Sequence, residues 1–193
     1  MNEMPNRYDD DDESWLDTRP DPEPPRVRGT LPLWVVHITE KPLGAARGRV
    51  EGFVCFGCID AGDLSQCPRL DQMRAAIERA YPDSLETKKA RWAEDAHRLL
   101  FQVEEKDLMV HPIDGEQEIM IGMFYGGYAR LDEQALIDED SAQVRKVRWL
   151  LTVPRSAFTK PAQRSFGSQF TIHSSSGYRH EVLALLAAKG IPI

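Results

Sequence analysis

The sequence predicts an α+β domain: a curved mixed sheet or small open β-barrel, with a helical pair inserted early and one helix at the end. Short β-branched and aromatic runs lie between residues 33 and 57 and again between 108 and 153. Two stretches between residues 70 and 103 instead repeat their apolar side chains at three- and four-residue steps. No run of about 18 apolar residues interrupts this pattern, so no membrane span is expected.

Residues 1–30 are acidic and proline-rich, with DDDDE followed by RPDPEPPR, and bury too little apolar surface to order themselves. They are expected to be a disordered arm before a domain spanning 31–193. Leu33 to Ile38 reads as the first strand. Gly44 to Gly48 reads as a flexible connection, and Val50 to Gly57 as the second strand. Leu70, Met73, Ile77 and Ala80 define the first helix, with Pro68 suited to its first turn. Pro82-Asp83-Ser84 breaks it, and Ser84 can cap the second. In that second helix Trp92, Ala96, Leu99, Leu100 and Val103 share a face. Strands follow at Leu108 to Ile113, Glu118 to Leu131 and Val144 to Val153. Gly126-Gly127 marks a bulge or a close backbone approach in the middle one. A short strand, Gln169 to His173, precedes a helix from Tyr178 to Lys189, ended by Gly190.

The net charge of −7 is unevenly spread. Residues 1–30 hold nine acids and four arginines, and the other 163 residues hold 22 acids and 20 bases. Ser141 to His180 contains seven bases and no acid, a stretch that attracts polyanions locally whatever the overall balance. The plainer reading is a basic edge facing the acidic run Asp132 to Asp140. Three cysteines, an odd number, without an apolar leader segment suggest free thiols in the cytoplasm.

Catalytic patterns are weak. Cys55-Phe56-Gly57-Cys58 has a CxxC spacing but no second ligand pair, and in a strand residues three apart diverge, so neither metal nor cofactor is expected. Pro82-Asp83 stands too close to Glu86-Thr87-Lys88 for a nuclease centre, and Glu104-Glu105-Lys106 with Asp95 has a helix-cap or surface explanation. No GxSxG, Walker loop or GxGxxG occurs. No enzyme is expected from these residues. Aromatic and glycine residues around polar turns remain: Phe56-Gly57, Gly62-Asp63-Leu64-Ser65, Tyr125-Gly126-Gly127-Tyr128 and Trp149. Such a mix suits a flat base, with aromatic faces for stacking and a few polar groups for its edge. Filling a small β core is the alternative.

Three ordered blocks resemble the N-terminal PUA-like (EVE-like) domain that precedes the nuclease of some Mrr-type restriction endonucleases. The first is Gly52-Phe53-Val54 through Phe56-Gly57 to Gly62-Asp63-Leu64-Ser65. The second is Asp107-Leu108-Met109-Val110-His111-Pro112 with Ile121-Gly122 and Gly127-Tyr128. The third is Val147-Arg148-Trp149-Leu150, Val153 to Phe158 and Gly167-Ser168. Departures are Phe56 where the family usually has Trp, Lys106 where a Gly is expected before Asp107, and Tyr125 in place of a smaller polar residue.

The resemblance implies a reader of a flipped, methylated or hydroxymethylated base such as 5-methylcytosine, serving a restriction or defence system. It implies a base pocket from Phe56, Gly57, Asp63, Leu64 and Ser65 on one side and Tyr125, Tyr128 and Trp149 opposite. Arg145, Lys146, Arg148 and Arg155 would grip phosphates. The implied partners are duplex DNA carrying a modified base and a nuclease domain or subunit. The alternatives are an RNA-binding module of the same fold and a protein-interaction or regulatory subunit.

Overall fold

A computed structural model of the chain describes residues 32–37, 42–113, 117–131, 133–138, 141–168 and 171–193. The expected disordered arm, residues 1–30, lies outside the described residues. Among the described residues six strands form one mixed sheet: β1 (Leu33–Val36), β2 (Phe53–Phe56), β3 (Leu108–Pro112), β4 (Glu118–Arg130), β5 (Gln143–Pro154) and β6 (Ile172–Ser174). Their spatial order is β2-β5-β4-β3-β1-β6. Only β1 and β3 pair in parallel; the remaining neighbours are antiparallel. The sheet is open, with β2 and β6 as its edges, rather than closed into a barrel.

The helices are α1 (Pro42–Glu51), α2 (Leu70–Ala80), α3 (Glu86–His97), α4 (Gln134–Asp138), α5 (Lys160–Phe166) and α6 (Arg179–Ala188). Period-two alternation explains how they cover both sheet faces. Trp34 and Val36 of β1 join a core with Met73 and Ile77 of α2 and Ala93 and Ala96 of α3. Leu33 and Val35 point the other way, into a second core with Ala162 and Phe166 of α5 and Val182 and Leu186 of α6. A strand buried on both faces needs no polar alternation, which is why LWVV reads as a continuous apolar run. The second-helix face also holds: Leu99, Leu100 and Val103 are buried in the first core and Trp92 packs against it.

Three local expectations change. Gly44 to Gly48 is not a flexible connection but part of α1, entered through Pro42 in its first turn. A Cβ at Gly44 would lie 2.7 Å from Ser141, and one at Gly48 would lie 2.5 Å from the Phe53 carbonyl oxygen. The two glycines therefore let α1 lie directly on its neighbours, and that packing overrides their poor helix propensity. Consequently Val50 and Glu51 end the helix, and β2 starts at Phe53. Ser84 does not cap α3, whose N-cap is Leu85; Lys89 instead pairs with Glu86 and Glu78 at 2.6 and 2.7 Å. At the other end α3 continues into a π-helical turn over Arg98–Gln102.

The bulge expected at Gly126-Gly127 is present. Phe124 pairs with Val147 and Tyr128 with Arg145, so four steps along β4 match two along β5. Lys106 adopts φ +72°. This left-handed conformation places its N–H 2.9 Å from the Phe124 carbonyl oxygen and leads into Asp107. A side chain there carries strain that Gly would not. Lys106→Gly is therefore expected to raise stability by about 0.5–1 kcal/mol, read as a higher urea midpoint at unchanged slope. A lower midpoint would show that the Lys106 side chain contributes more than its backbone strain removes.

Candidate nucleic-acid interface

The first part of the interface is assembled by register at one end of the sheet. Phe56 at the end of β2 pairs with Gln143 at the start of β5, and Arg130 pairs with Gln143 from β4. Tyr128 enters from two residues earlier on β4. Beyond β2 the chain turns through Cys58 at φ +69°, a 3-10 turn over Ile59–Ala61 and Gly62 at φ +79°. Asp63 then caps a second 3-10 turn, Leu64–Gln66. Its Oδ1 accepts from the Ser65 N–H at 3.0 Å and the Ser65 hydroxyl at 2.7 Å. Leu64 inserts fully into the core and pins the turn from beneath.

Asp63 itself stays exposed. The Ser65 hydroxyl holds its carboxyl below the usual carboxylate range, with the Ser65 N–H and Gln66 adding to the effect. Tyr128 donates to Gln143 Oε1 at 3.0 Å, and Gln143 Nε2 donates to the carbonyls of Gly57 and Cys58 at 3.1 and 2.8 Å. Backbone carbonyls thus fix Gln143, Gln143 fixes Tyr128, and Tyr128 stands beside an ionised acceptor. The Phe56 ring lies 6.5 Å from that of Tyr128, tilted by 50°.

Six of the eight expected pocket residues therefore share one end of the sheet: Phe56, Gly57, Asp63, Leu64, Ser65 and Tyr128. Their roles differ from the expectation, because Phe56 and Leu64 are core residues and Tyr128 is the ring beside the polar turn. Trp149 is elsewhere. Its Nε1 donates to the Gly48 carbonyl at 2.9 Å and its ring lies 6.3 Å from His111, so it buttresses α1. Tyr125 sits in the β4 bulge, 46% exposed, not opposite Asp63. Gln143 was not anticipated; its only signal was a polar residue at the start of an apolar strand.

The expected phosphate-binding residues also divide. Arg145 is a buried structural residue, 5% exposed, rather than a surface cation. It donates to the carbonyls of Leu100 and Val103 at 3.3 and 3.1 Å, and its guanidinium lies 5.8 Å from the Phe124 ring centre. Burial lowers its pKa while the Asp107 and Glu105 carboxylates oppose that shift. Lys146 and Arg148 are exposed. Arg155 is half-buried and borders an open depression of about 430 Å³ with Lys160, Gln163 and Arg164.

The other fragments stay apart. Cys55 and Cys58 are buried, and all three cysteines are unbridged. Asp95 is buried beside Arg98, whereas Glu105 accepts from the exposed Gly126 N–H. Among the described residues no three His, Cys, Asp or Glu side chains are grouped to hold a metal ion. Among them, too, no helix is long and apolar enough to cross a membrane. Comparison with known proteins finds no matching family model, no similar curated protein and no similar solved structure.

Proposed function

We propose that this chain is a PUA-like (EVE-like) nucleic-acid-binding module that accepts a modified base turned out of duplex DNA at the Asp63 turn. The observation that carries the reading is the Asp63 carboxylate: Ser65 orders it, Tyr128 flanks it, and yet it is solvent-exposed. An ionised carboxylate only accepts hydrogen bonds, so it suits a base edge that presents an N–H donor, such as the amino group of cytosine. Tyr128 supplies the face for stacking, about 1–3 kcal/mol per base. Stacking and the charged hydrogen bond together offset the few kcal/mol that flipping costs. A methyl group adds only about 0.8 kcal/mol if it meets apolar wall, so preference for a methylated base would be about fourfold from that contact alone. The order of the three resembling blocks and the left-handed Lys106 support the PUA-like assignment. In this reading the module supplies recognition to a restriction or defence system, and the cutting activity resides in a further domain or a partner.

The test is a binding panel of matched duplexes carrying cytosine, 5-methylcytosine or 5-hydroxymethylcytosine, with RNA as competitor. Wild-type protein is expected to prefer a modified duplex. Asp63→Asn keeps the shape but removes the charge, and should weaken the plain and modified complexes alike, by about tenfold to a hundredfold, because the amino group it reads is common to both. Equal affinity for plain and modified duplexes at every salt concentration would defeat the reading, and stronger capture of RNA would transfer it to RNA.

A further inference from the structure

We propose that the depression between Arg155 and α5 is a second phosphate-binding site, which holds the nucleic-acid backbone within about one duplex turn of the Asp63 turn. It rests on the reading that the chain binds nucleic acid, but not on base flipping. Arg155, Lys160 and Arg164 converge on this depression, and among the described residues no carboxylate lines it. Three like charges around one hollow repel one another, and an anion in the hollow relieves that repulsion.

The arrangement is preformed. Arg155 Nη2 donates to the Gln163 carbonyl at 2.7 Å, and Gln163 Nε2 is held in turn by the Phe158 carbonyl at 2.6 Å. The same guanidinium group lies against Gly167, where any Cβ would collide with it. Glu181 at the entry to α5 is engaged by the Thr159 N–H and hydroxyl at 2.9 and 2.7 Å, and the exposed Glu118 of β4 pairs opposite Pro154. Arg148 extends the positive track on the same sheet face. It pairs opposite Met123, which packs into the core shared with α5 and α6.

Strand β5 fixes the spacing. It begins at Gln143, behind the Asp63 turn, and ends at Pro154, next to Arg155. Eleven residue steps at about 3.3 Å cap the separation of the two ends of β5 at roughly 36 Å, so both lie within one turn of B-DNA at about 34–36 Å. Because the Asp63 turn packs on the first-core face and α5 on the second, a duplex meets both by passing the sheet edge formed by β2 and the far half of β5. The lining of the depression singles out Lys160 and Arg164 from the seven bases of the acid-free stretch Ser141 to His180 and adds them to Arg155 as phosphate-gripping residues, apart from those that meet the base.

The test combines Lys160→Gln with Arg164→Gln, both exposed, and uses thermal melting to confirm an intact fold. On a duplex reaching about 12 bp either side of a 5-methylcytosine, the double variant should bind about tenfold more weakly. The log–log salt slope should fall by about 1.8, two phosphates at about 0.9 each. Plain and modified duplexes should suffer alike, and the defect should vanish on a duplex reaching only about 5 bp either side. An unchanged affinity and slope on the long duplex overturns the proposal. So does a defect independent of duplex length accompanied by stabilisation of wild-type protein, but not the variant, by millimolar inorganic phosphate, which marks a small-anion site. Equal binding of plain and modified duplexes with the expected slope change would defeat the base-reading function and leave this site standing.

Discussion

Arg145→Met is expected to destabilise the fold by about 3–5 kcal/mol, the largest effect of any single substitution considered for this chain. The cause is the buried polar network around Asp107. Asp107 is fully buried, and its Oδ2 accepts from Trp34 Nε1 at 2.8 Å and from the Glu104 N–H at 2.9 Å. The Arg145 guanidinium supplies the compensating charge and also reaches the carbonyls of Leu100 and Val103. Those carbonyls flank the end of the π-helical turn after α3, where backbone acceptors lose their helical partners. Methionine fills much of the volume and offers neither donor nor charge, so it leaves Asp107 and two carbonyls deprived together. Urea unfolding measures the loss directly. A variant with wild-type stability and weakened duplex binding would instead return Arg145 to the phosphate-contact role that sequence alone suggests.

Arg145 also shows what was legible in the sequence and what was not. Its chain neighbours are Lys146 and, three residues on, Arg148, so charge patterning alone makes it one of a basic group. Its burial depends on β4 and β5 bringing it beneath the end of α3, a relation across more than 40 residues of sequence. The same limit applies to Gln143, whose partners Gly57 and Cys58 are separated from it by more than 80 residues. Periodic signals were readable because one element's own spacing carries them. The α2 and α3 faces, the two central strands of the sheet and the Gly126-Gly127 bulge are all of this kind. Gly44 and Gly48 misled for the converse reason: their helix is stabilised by close approach to Ser141 and Phe53, which no local propensity records. Of the candidate site, Asp63 and Ser65 were legible because an Asp-x-Ser turn bonds to its own backbone. The placement of Trp149 against Gly48 was a tertiary fact and was not.

The second large effect is a hidden pH dependence shared by Asp95 and His173. Burial raises the Asp95 carboxyl to about 6, against the attraction of Arg98 and Arg91 and a hydrogen bond from Thr171. Burial lowers His173 to about 4, aided by His37 and Arg98 and opposed by its hydrogen bond to the Ser165 carbonyl. Between pH 4 and 6 the folded protein therefore holds both groups neutral, although in the unfolded chain both are charged near pH 5. The signs are opposite. As pH falls from 6.5 toward 4, His173 loses stability, because the unfolded chain binds its proton first. Over nearly the same window Asp95 gains stability, because the folded protein binds its proton first. Each contribution is worth about 3 kcal/mol, so the two nearly cancel and this pair leaves wild-type stability flat across the interval. Asp95→Asn should expose the histidine, with stability falling by about 3 kcal/mol between pH 6.5 and pH 4. His173→Gln should expose the aspartate, with stability falling by a similar amount from pH 4 to pH 6. Urea midpoints of the three proteins across this range distinguish the cases. If both variants follow the wild-type profile, neither group is held neutral in the folded protein.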